Sequence, residues 1–280
     1  QDSEETVADA GEPAGNDQRE ALMDQVRFYG NVEVGREISL SDLRKMYDAV
    51  VLAQGAPVDR TLNIPGADKP GVFGAAAFVG WYNAHPDFGN LNPNLDVQAA
   101  AVIGVGNVAI DVARLLSRSD KGLAVTDLPD YAETAMSRSP IIDVYLFGRR
   151  GPLDAKFTNV ELREFGELSQ CVPQVKTVQL PDGVGDLEGR EKRLKERNLE
   201  TLRQFSERQP DEKPNRVHFE FFASPSEILG TDKVEGIRLE RTRVEGGRAI
   251  GTGEFFDVAC GLVVSAIGYR GIPLEGAPFD

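Results

Sequence analysis

The feature that most constrains this chain is an apolar run, a glycine turn and an amphipathic pattern over residues 99–117. The apolar run predicts a buried strand, because a strand covered on both faces has no need of polar alternation. Gly104, Gly106 and Ala109 follow it at the spacing G-x-G-x-x-A. A strand, this turn and a helix together predict an α/β fold with a parallel sheet and a dinucleotide site.

Each small residue of the turn has its own physical role. Gly104 lets the chain turn sharply out of the strand, and Gly106 leaves the backbone open because it has no Cβ. Ala109 lets the helix pack closely on the sheet. The free N–H groups from about Asn107 onward face phosphates with the positive end of the helix dipole. We expect a pyrophosphate here; a structural glycine turn is the alternative.

The next predicted strand, residues 141–147, leads into Gly148, Arg149 and Arg150. An NAD site usually has an acidic residue at this point for the ribose 2′-hydroxyl. Two guanidiniums suit a 2′-phosphate instead, because an arginine fork binds phosphate bidentately. The sequence favours NADP over NAD, with two exposed turn arginines as the alternative. Residues 119–140 are then predicted to be an excursion between helix and strand.

Composition excludes several classes of function. With 45 acidic and 31 basic side chains, the formal charge is −14, which argues against nucleic-acid binding. No apolar run approaches the roughly 20 residues of a membrane-spanning helix. Cys171 and Cys260 cannot form a disulfide framework, which favours an intracellular compartment. Neither a zinc spacing nor a G-x-S-x-G elbow is present in the sequence.

The first 25 residues form a separate acidic segment. They contain eight acidic side chains and one basic side chain. With so few apolar groups, they are predicted to be disordered apart from a short helix at 18–26. A partner-binding acidic arm is the alternative to a solvated tail. The start at Gln1 and the lack of a signal peptide predict a fragment or a processed form.

The remaining patterns predict elements on either side of the glycine turn. Short strands are expected from residue 26, then a helix capped by Ser41, then an apolar strand over 47–55 ending at Gly55. Antiparallel strands are predicted over 217–222, 234–243 and 255–258, followed by a buried strand over 261–267. His218 is predicted to occupy an edge-strand position.

Five segments together resemble the adrenodoxin reductase family of ferredoxin–NADP reductases. They follow the family's order at similar spacings: residues 30–36, 78–83, 104–114, 148–153 with 161–164, and 260–269. The resemblance runs from about residue 26 to the C-terminus. It implies a Rossmann-like NADP-binding domain at 56–266, flanked by partial FAD-binding pieces at 26–55 and 267–280. This is an arrangement of the two-dinucleotide-binding-domain flavoprotein type.

The resemblance also implies the activity, an FAD-dependent NADPH:ferredoxin (adrenodoxin) oxidoreductase. In that family a hydride passes from NADPH to FAD, and electrons then pass singly to an acidic [2Fe–2S] ferredoxin. The implied location is the mitochondrial matrix for a eukaryotic source and the cytoplasm for a bacterial one. A monomer is expected.

The implied site residues are cofactor contacts, and none is implied to be catalytic. The NADP contacts are Gly104, Val105, Gly106, Asn107 and Val108 around the pyrophosphate, Arg149 and Arg150 at the 2′-phosphate, and Glu161 on the adenosine side. The FAD contacts are the backbone of Val32 at the adenine and Gly55 at a strand end.

The sequence departs from the family pattern at both ends. The strand, glycine turn and helix expected for the FAD pyrophosphate are not found before residue 26, and the family's closing segment is not found before Asp280. We therefore expect this polypeptide alone to bind FAD poorly and to lack turnover. The alternatives are a non-catalytic NADP-binding chain and a glutamate-synthase-like NADPH-oxidising subunit, although the sequence has no cysteine clusters.

Residues 190–197 contain five basic side chains within eight positions. On a helix, Arg190, Arg193 and Arg197 share one face. Such a face would steer an acidic ferredoxin, and the resemblance favours this interpretation. A solvated helix with interspersed glutamates is the alternative.

Overall fold

The computed structural model describes residues 26–118 and 120–279. The predicted acidic segment 1–25 therefore lies outside the described residues, as does the predicted helix at 18–26 apart from Val26. The chain divides into two compact units. Residues Gly55–Gly271 form the larger unit, and the residues up to Gln54 together with those from Ile272 onward form the smaller one. The assignment of predicted domains to FAD and NADP stays a prediction.

Six strands of the larger unit pair in parallel, which confirms the predicted parallel sheet. In their order across the sheet they are β2 (Val72–Gly74), β10 (Leu262–Ser265), β3 (Ala99–Ile103), β4 (Asp143–Gly148), β6 (Asn215–Phe221) and β5 (Cys171–Val175). All four residues of β10 are buried. This explains why the central strands have continuous apolar sequences.

Two smaller sheets are antiparallel. One contains β7 (Ala223–Leu229), β8 (Gly236–Glu245) and β9 (Arg248–Ala259), and the other pairs β1 (Val58–Asp59) with β11 (Tyr269–Arg270). The antiparallel prediction is correct for β8 and β9 but wrong for 217–222. That segment belongs to β6, between β4 and β5, so His218 is not at an edge. Sequence alternation does not specify which partner a strand pairs with.

Seven α-helices occur within the described residues. They are α1 (Leu40–Met46), α2 (Ala75–Tyr82), α3 (Asn107–Leu116), α4 (Asp120–Leu123), α5 (Asp130–Ser137), α6 (Asn159–Glu167) and α7 (Gly189–Ser206). The excursion between α3 and β4 is confirmed, because α4 and α5 lie within it. Within the described range, no helix combines the length and apolar composition needed to cross a bilayer.

The core of the larger unit has two parts, one on each face of the parallel sheet. On one face, Val102 and Leu146 pack in a cluster with the apolar side of α3, α6 and α7. On the other face, Ile103 and Phe147 pack with Ile237 and other residues of the antiparallel sheet. Alternate residues of a strand point to opposite faces, so helices, parallel sheet and antiparallel sheet form three layers.

Two local predictions in the smaller unit are wrong. Residues 47–54 form no strand, and Val51 is 87% exposed. An apolar strand needs paired neighbours to cover it, and no described strand pairs with this segment. The cap of α1 is Ser39, whose hydroxyl accepts a 3.0 Å hydrogen bond from the N–H of Asp42. Ser41 lies inside the helix.

Candidate dinucleotide-binding site

The glycine turn lies at the point in the parallel sheet where the strand order reverses. In the sheet, β3 lies between β4, which follows it in sequence, and β10, which comes much later. The N–H of Gly104 donates to the carbonyl of Phe147 at 2.9 Å, and the N–H of Ala266 donates to Ile103 at 2.8 Å. Three strand ends therefore meet beside Gly104. Open α/β sheets bind ligands at such a point.

The two glycines of the turn are required for different reasons. Gly104 has a φ of +135°, and a Cβ there would lie 2.4 Å from the carbonyl oxygen of Ala266. Gly106 has a φ of −111°, and a Cβ there would have no heavy atom within 4 Å. The protein's own packing requires Gly104 but leaves Gly106 facing open space. That space fits an approaching pyrophosphate.

Helix α3 begins directly after the turn, and its N-terminus is open to an anion. Gly106 is the N-cap, and no side chain caps this end. The Oδ1 atom of Asn107 instead accepts a 2.9 Å hydrogen bond from the N–H of Thr158. The N–H of Lys156 donates to the carbonyl of Val105 at 2.9 Å. The N–H groups of the first turn therefore stay available to donate hydrogen bonds to a ligand, at the positive end of the helix dipole.

The two arginines after β4 differ in their surroundings. The guanidinium of Arg149 is exposed and pairs with no described residue. Arg150 forms an ion pair with Asp154 at 2.8 Å, and its Nη1 donates to the carbonyl of Gly247 at 3.3 Å. Arg149 is the guanidinium ready for an added phosphate, whereas Arg150 already shares its charge with a carboxylate.

Glu161 lies in the first turn of α6 and has a buried Oε2 atom without a partner among the described residues. Asp111 on α3 interacts electrostatically with Glu161 and pairs with Arg114 at 2.9 Å. Burial raises the pKa of Asp111. The positive charge of Arg114 lowers this pKa, and the negative charge of Glu161 raises it further. A buried acceptor without a donor costs free energy, so a ligand hydroxyl at Glu161 fits this position.

The predicted FAD contacts, Val32 and Gly55, lie in different units and stay a prediction. Val32 is in the smaller unit and is 47% exposed. Gly55 is not at a strand end as predicted, because residues 47–54 form no strand; a Cβ there would meet no heavy atom within 4 Å. The described part of the smaller unit contains α1 and an isolated bridge between Val34 and Ile38. These described residues provide no second glycine turn for FAD.

Sequence reasoning missed the residues that hold the arginine turn. Asp154 and Gly247 contact the side chain of Arg150, and the hydroxyl of Thr242 donates to the carbonyl of Arg149 at 2.7 Å. Thr242 is 93 positions from Arg149, and no local pattern predicts this contact. Within the described residues, no cluster of His, Cys, Asp or Glu is arranged to hold a metal ion.

The parallel sheet has an open glycine turn, an uncapped helix and a free guanidinium at the point where its strand order reverses. This combination is typical of a dinucleotide-binding α/β module. No family model matches the chain. The chain is 44% identical over 260 residues to NADPH-ferredoxin reductase FprA of Mycobacterium tuberculosis, covering 91% of this chain and 57% of that protein. It is 42% identical over 279 residues to the mitochondrial NADPH:adrenodoxin oxidoreductase of Arabidopsis thaliana, covering 94% and 57%.

Solved structures agree with these matches. The structure of Mycobacterium tuberculosis FprA in complex with NADPH aligns with a TM-score of 0.86 at 43% identity, covering 94% of this chain and 60% of that chain. Across the matched span, the chain is similar in sequence and fold to NADPH-ferredoxin and NADPH:adrenodoxin reductases, and the resemblance in the motifs is confirmed. The chain spans between half and two thirds of the length of the curated relatives it matches.

Proposed function

We propose that residues 104–161 bind NADP(H), and that this chain provides the NADP-binding part of a flavin-dependent NADPH:ferredoxin reductase. The observation that carries the proposal is the open space beside Gly106, combined with the unpaired guanidinium of Arg149. The relative FprA is described in complex with NADPH, and this supports the same coenzyme here.

Different residues of the proposed site contact different parts of the coenzyme. The backbone N–H groups of Asn107 and Val108 donate to the pyrophosphate, which approaches closely because Gly106 has no side chain. Arg149 binds the 2′-phosphate, with Arg150 adding charge. Glu161 accepts a hydrogen bond on the adenosine side. An unphosphorylated ribose leaves the Arg149 guanidinium without an anion, so NADP is preferred to NAD.

The redox chemistry belongs to the cofactors. NADPH supplies a hydride and FAD converts hydride transfer into single-electron transfer; the described residues contribute binding and orientation. FAD is proposed from the family resemblance, with Val32 and Gly55 as its contacts in this chain. Since the described residues contain no second glycine turn, we expect a polypeptide of these 280 residues to bind FAD weakly. The location stays a prediction, the mitochondrial matrix or the bacterial cytoplasm according to source.

Calorimetry with 2′,5′-ADP and ADP tests the coenzyme assignment without any flavin. These two ligands differ at the ribose 2′-position, where only the first has a phosphate. A hydrogen bond to a charged group contributes about 1.5–3 kcal/mol, so we expect 2′,5′-ADP to bind roughly 10- to 100-fold more tightly. Equal affinity for the two ligands would overturn the assignment.

A non-catalytic NADP-binding role is the second candidate, and it rests on the same open glycine turn at Gly104 and Gly106. The visible absorption spectrum of the purified chain separates the two roles. A stoichiometric flavin band together with NADPH oxidation supports the enzyme. A flavin-free protein that still binds 2′,5′-ADP supports the second candidate for this polypeptide.

An acidic [2Fe–2S] ferredoxin is the proposed electron acceptor, and helix α7 is its proposed docking face. Arg190, Arg193 and Arg197 are exposed on α7, and their guanidiniums pair with no described residue. Arg193→Glu with Arg197→Glu should weaken ferredoxin binding and reduce its salt dependence. A control, Lys233→Glu with Arg248→Glu, makes the same charge change at exposed sites flanking β8. Equal losses in both double variants would contradict docking on α7.

A further inference from the structure

A closed set of hydrogen bonds joins the arginine turn to the antiparallel sheet. The N–H of Phe222, directly after β6, donates to the carbonyl of Arg150 at 3.2 Å. The carbonyl of Phe222 accepts a 2.9 Å hydrogen bond from the N–H of Thr242 on β8. The hydroxyl of Thr242 returns to the turn, donating to the carbonyl of Arg149 at 2.7 Å. Both arginine carbonyls are thereby held from outside the turn.

The geometry around Phe222 makes this connection specific. Phe222 has a φ of +55°, in the left-handed region that a bulky side chain rarely adopts. Its ring covers Gly151, where a Cβ would lie 2.7 Å from the ring carbon Cζ. A side chain at the residue after the two arginines would therefore have to displace the Phe222 ring. Strain at Phe222 persists because its N–H and carbonyl are both held.

Thr242 is the member of this set that reaches Arg149. It is 9% exposed, and the β8–β9 pairing shifts register between Glu240 and Thr242. The Arg149 side chain has no partner of its own among the described residues. The position of its guanidinium therefore depends on the backbone that carries it, and Thr242 holds that backbone.

We propose that Thr242 is a positioning residue for coenzyme preference, holding the Arg149 backbone so that the guanidinium meets a 2′-phosphate. This inference rests on the proposed NADP site. Placing a side chain beforehand reduces the conformational entropy lost when the ligand binds. Without the Thr242 hydroxyl, Arg149 loses more conformational entropy when it binds the 2′-phosphate. Binding of an unphosphorylated dinucleotide is little affected.

The test compares Thr242→Val with Thr242→Ser in the complete chain. Valine keeps the shape of threonine but removes the donor, whereas serine keeps the hydroxyl. We expect Thr242→Val to reduce the ratio of 2′,5′-ADP to ADP affinity about fivefold, the effect of one hydrogen bond, and Thr242→Ser to retain most of it. Thr252→Val is the matched control, because the exposed Thr252 hydroxyl donates to the Arg241 carbonyl at 2.9 Å on the same hairpin.

Amide hydrogen exchange of residues 149–151 provides a second measurement, and it should become faster only in Thr242→Val. If the wild-type chain shows no preference for 2′,5′-ADP, the NADP site and this inference both fail. If the wild type discriminates and folded Thr242→Val keeps the wild-type affinity ratio, Thr242 is not a positioning residue and the NADP site stands. Equal losses in Thr252→Val would also overturn the inference.

Discussion

The Oδ1 atom of Asn107 accepts a 2.9 Å hydrogen bond from the N–H of Thr158, which joins the start of α3 to the N-cap of α6. The Oδ1 atom of Asn107 is thereby occupied by a donor from the N-cap of α6 and is turned away from the first-turn N–H groups of α3, so Asn107 offers its backbone N–H to a phosphate. The same bond sets the position of α6, whose first turn carries Glu161.

Two substitutions of Asn107 distinguish the effect of its hydrogen bond to Thr158 from the effect of charge at the start of α3. Asn107→Ala removes the acceptor, so we expect a loss of about 1 kcal/mol in the free energy of unfolding and weaker NADP binding. Asn107→Asp keeps the acceptor but adds a negative charge beside the pyrophosphate, so it should weaken binding more while preserving stability. Denaturant unfolding and calorimetry measure the two effects. Tighter NADP binding by Asn107→Asp would contradict the pyrophosphate site.

The two glycines of the turn should respond in opposite ways to alanine. Gly104→Ala meets the carbonyl oxygen of Ala266 and a positive φ, so a destabilisation of about 1–3 kcal/mol is expected. Gly106→Ala meets open space, so stability should change by less than about 0.5 kcal/mol, while NADP binding weakens strongly. Thermal unfolding and NADP titration check both variants. Unaltered NADP affinity in Gly106→Ala would show that the pyrophosphate lies elsewhere.

Arg149 and Arg150 should contribute unequally, although both were predicted to hold the 2′-phosphate. Arg149→Ala removes the unpaired guanidinium, so we expect a roughly 10- to 100-fold loss of 2′,5′-ADP affinity. Arg150→Ala should cost less affinity, because Arg150 already pairs with Asp154 at 2.8 Å. Neither variant should change ADP affinity appreciably. A larger loss in Arg150→Ala would reverse the assignment.

A carboxylate at the start of β4 should make stability depend on pH. Arg216 binds Asp143 through two hydrogen bonds of 2.6 and 2.8 Å, and His218 contacts it at 2.7 Å. Burial raises the pKa of Asp143, but these partners outweigh burial and leave the pKa below its ordinary value. A lowered folded pKa stabilises the protein above the unfolded pKa, and the stabilisation is lost as the pH falls through the folded pKa.

Asp143→Asn should therefore lower the free energy of unfolding by about 1 kcal/mol at neutral pH, and the difference from wild type should shrink in acid. Denaturant unfolding from pH 7 down through the acid range measures this. Asp257→Asn is the matched control, because Asp257 also binds an arginine, Arg238, through two hydrogen bonds but is exposed. A pH-independent effect of Asp143→Asn would contradict the assignment.

The two thiols should be unreactive in the folded chain. Burial raises the pKa of Cys171 and of Cys260 to about 12, and the thiolate is the reactive form. We expect alkylation at neutral pH to be slow in the native protein and fast after denaturation. Mass spectrometry of peptides containing each cysteine measures both rates. Rapid labelling of native Cys171 or Cys260 would mean that the surrounding core opens readily.

Much of the nucleotide site could be predicted from sequence because its signals are local. The apolar strand, Gly104, Gly106 and the start of α3 lie within a few residues of one another. The positive φ of Gly104 and the missing Cβ of Gly106 are properties of single residues, so a single sequence contains them. The same holds for the arginines that follow β4.

Tertiary structure decided what depends on distant partners. The apolar segment 47–54 is not a strand because no described neighbour pairs with it, and 217–222 is parallel because β4 and β5 flank it. Which arginine is free, and what holds it, follows from Asp154 and Thr242. The periodicity of apolar residues indicates which faces of a segment are buried, but it does not indicate which element buries them. Sequence therefore determined the turn and predicted its ligand class, while packing between β6, β8 and the arginine turn determined how the candidate site is held.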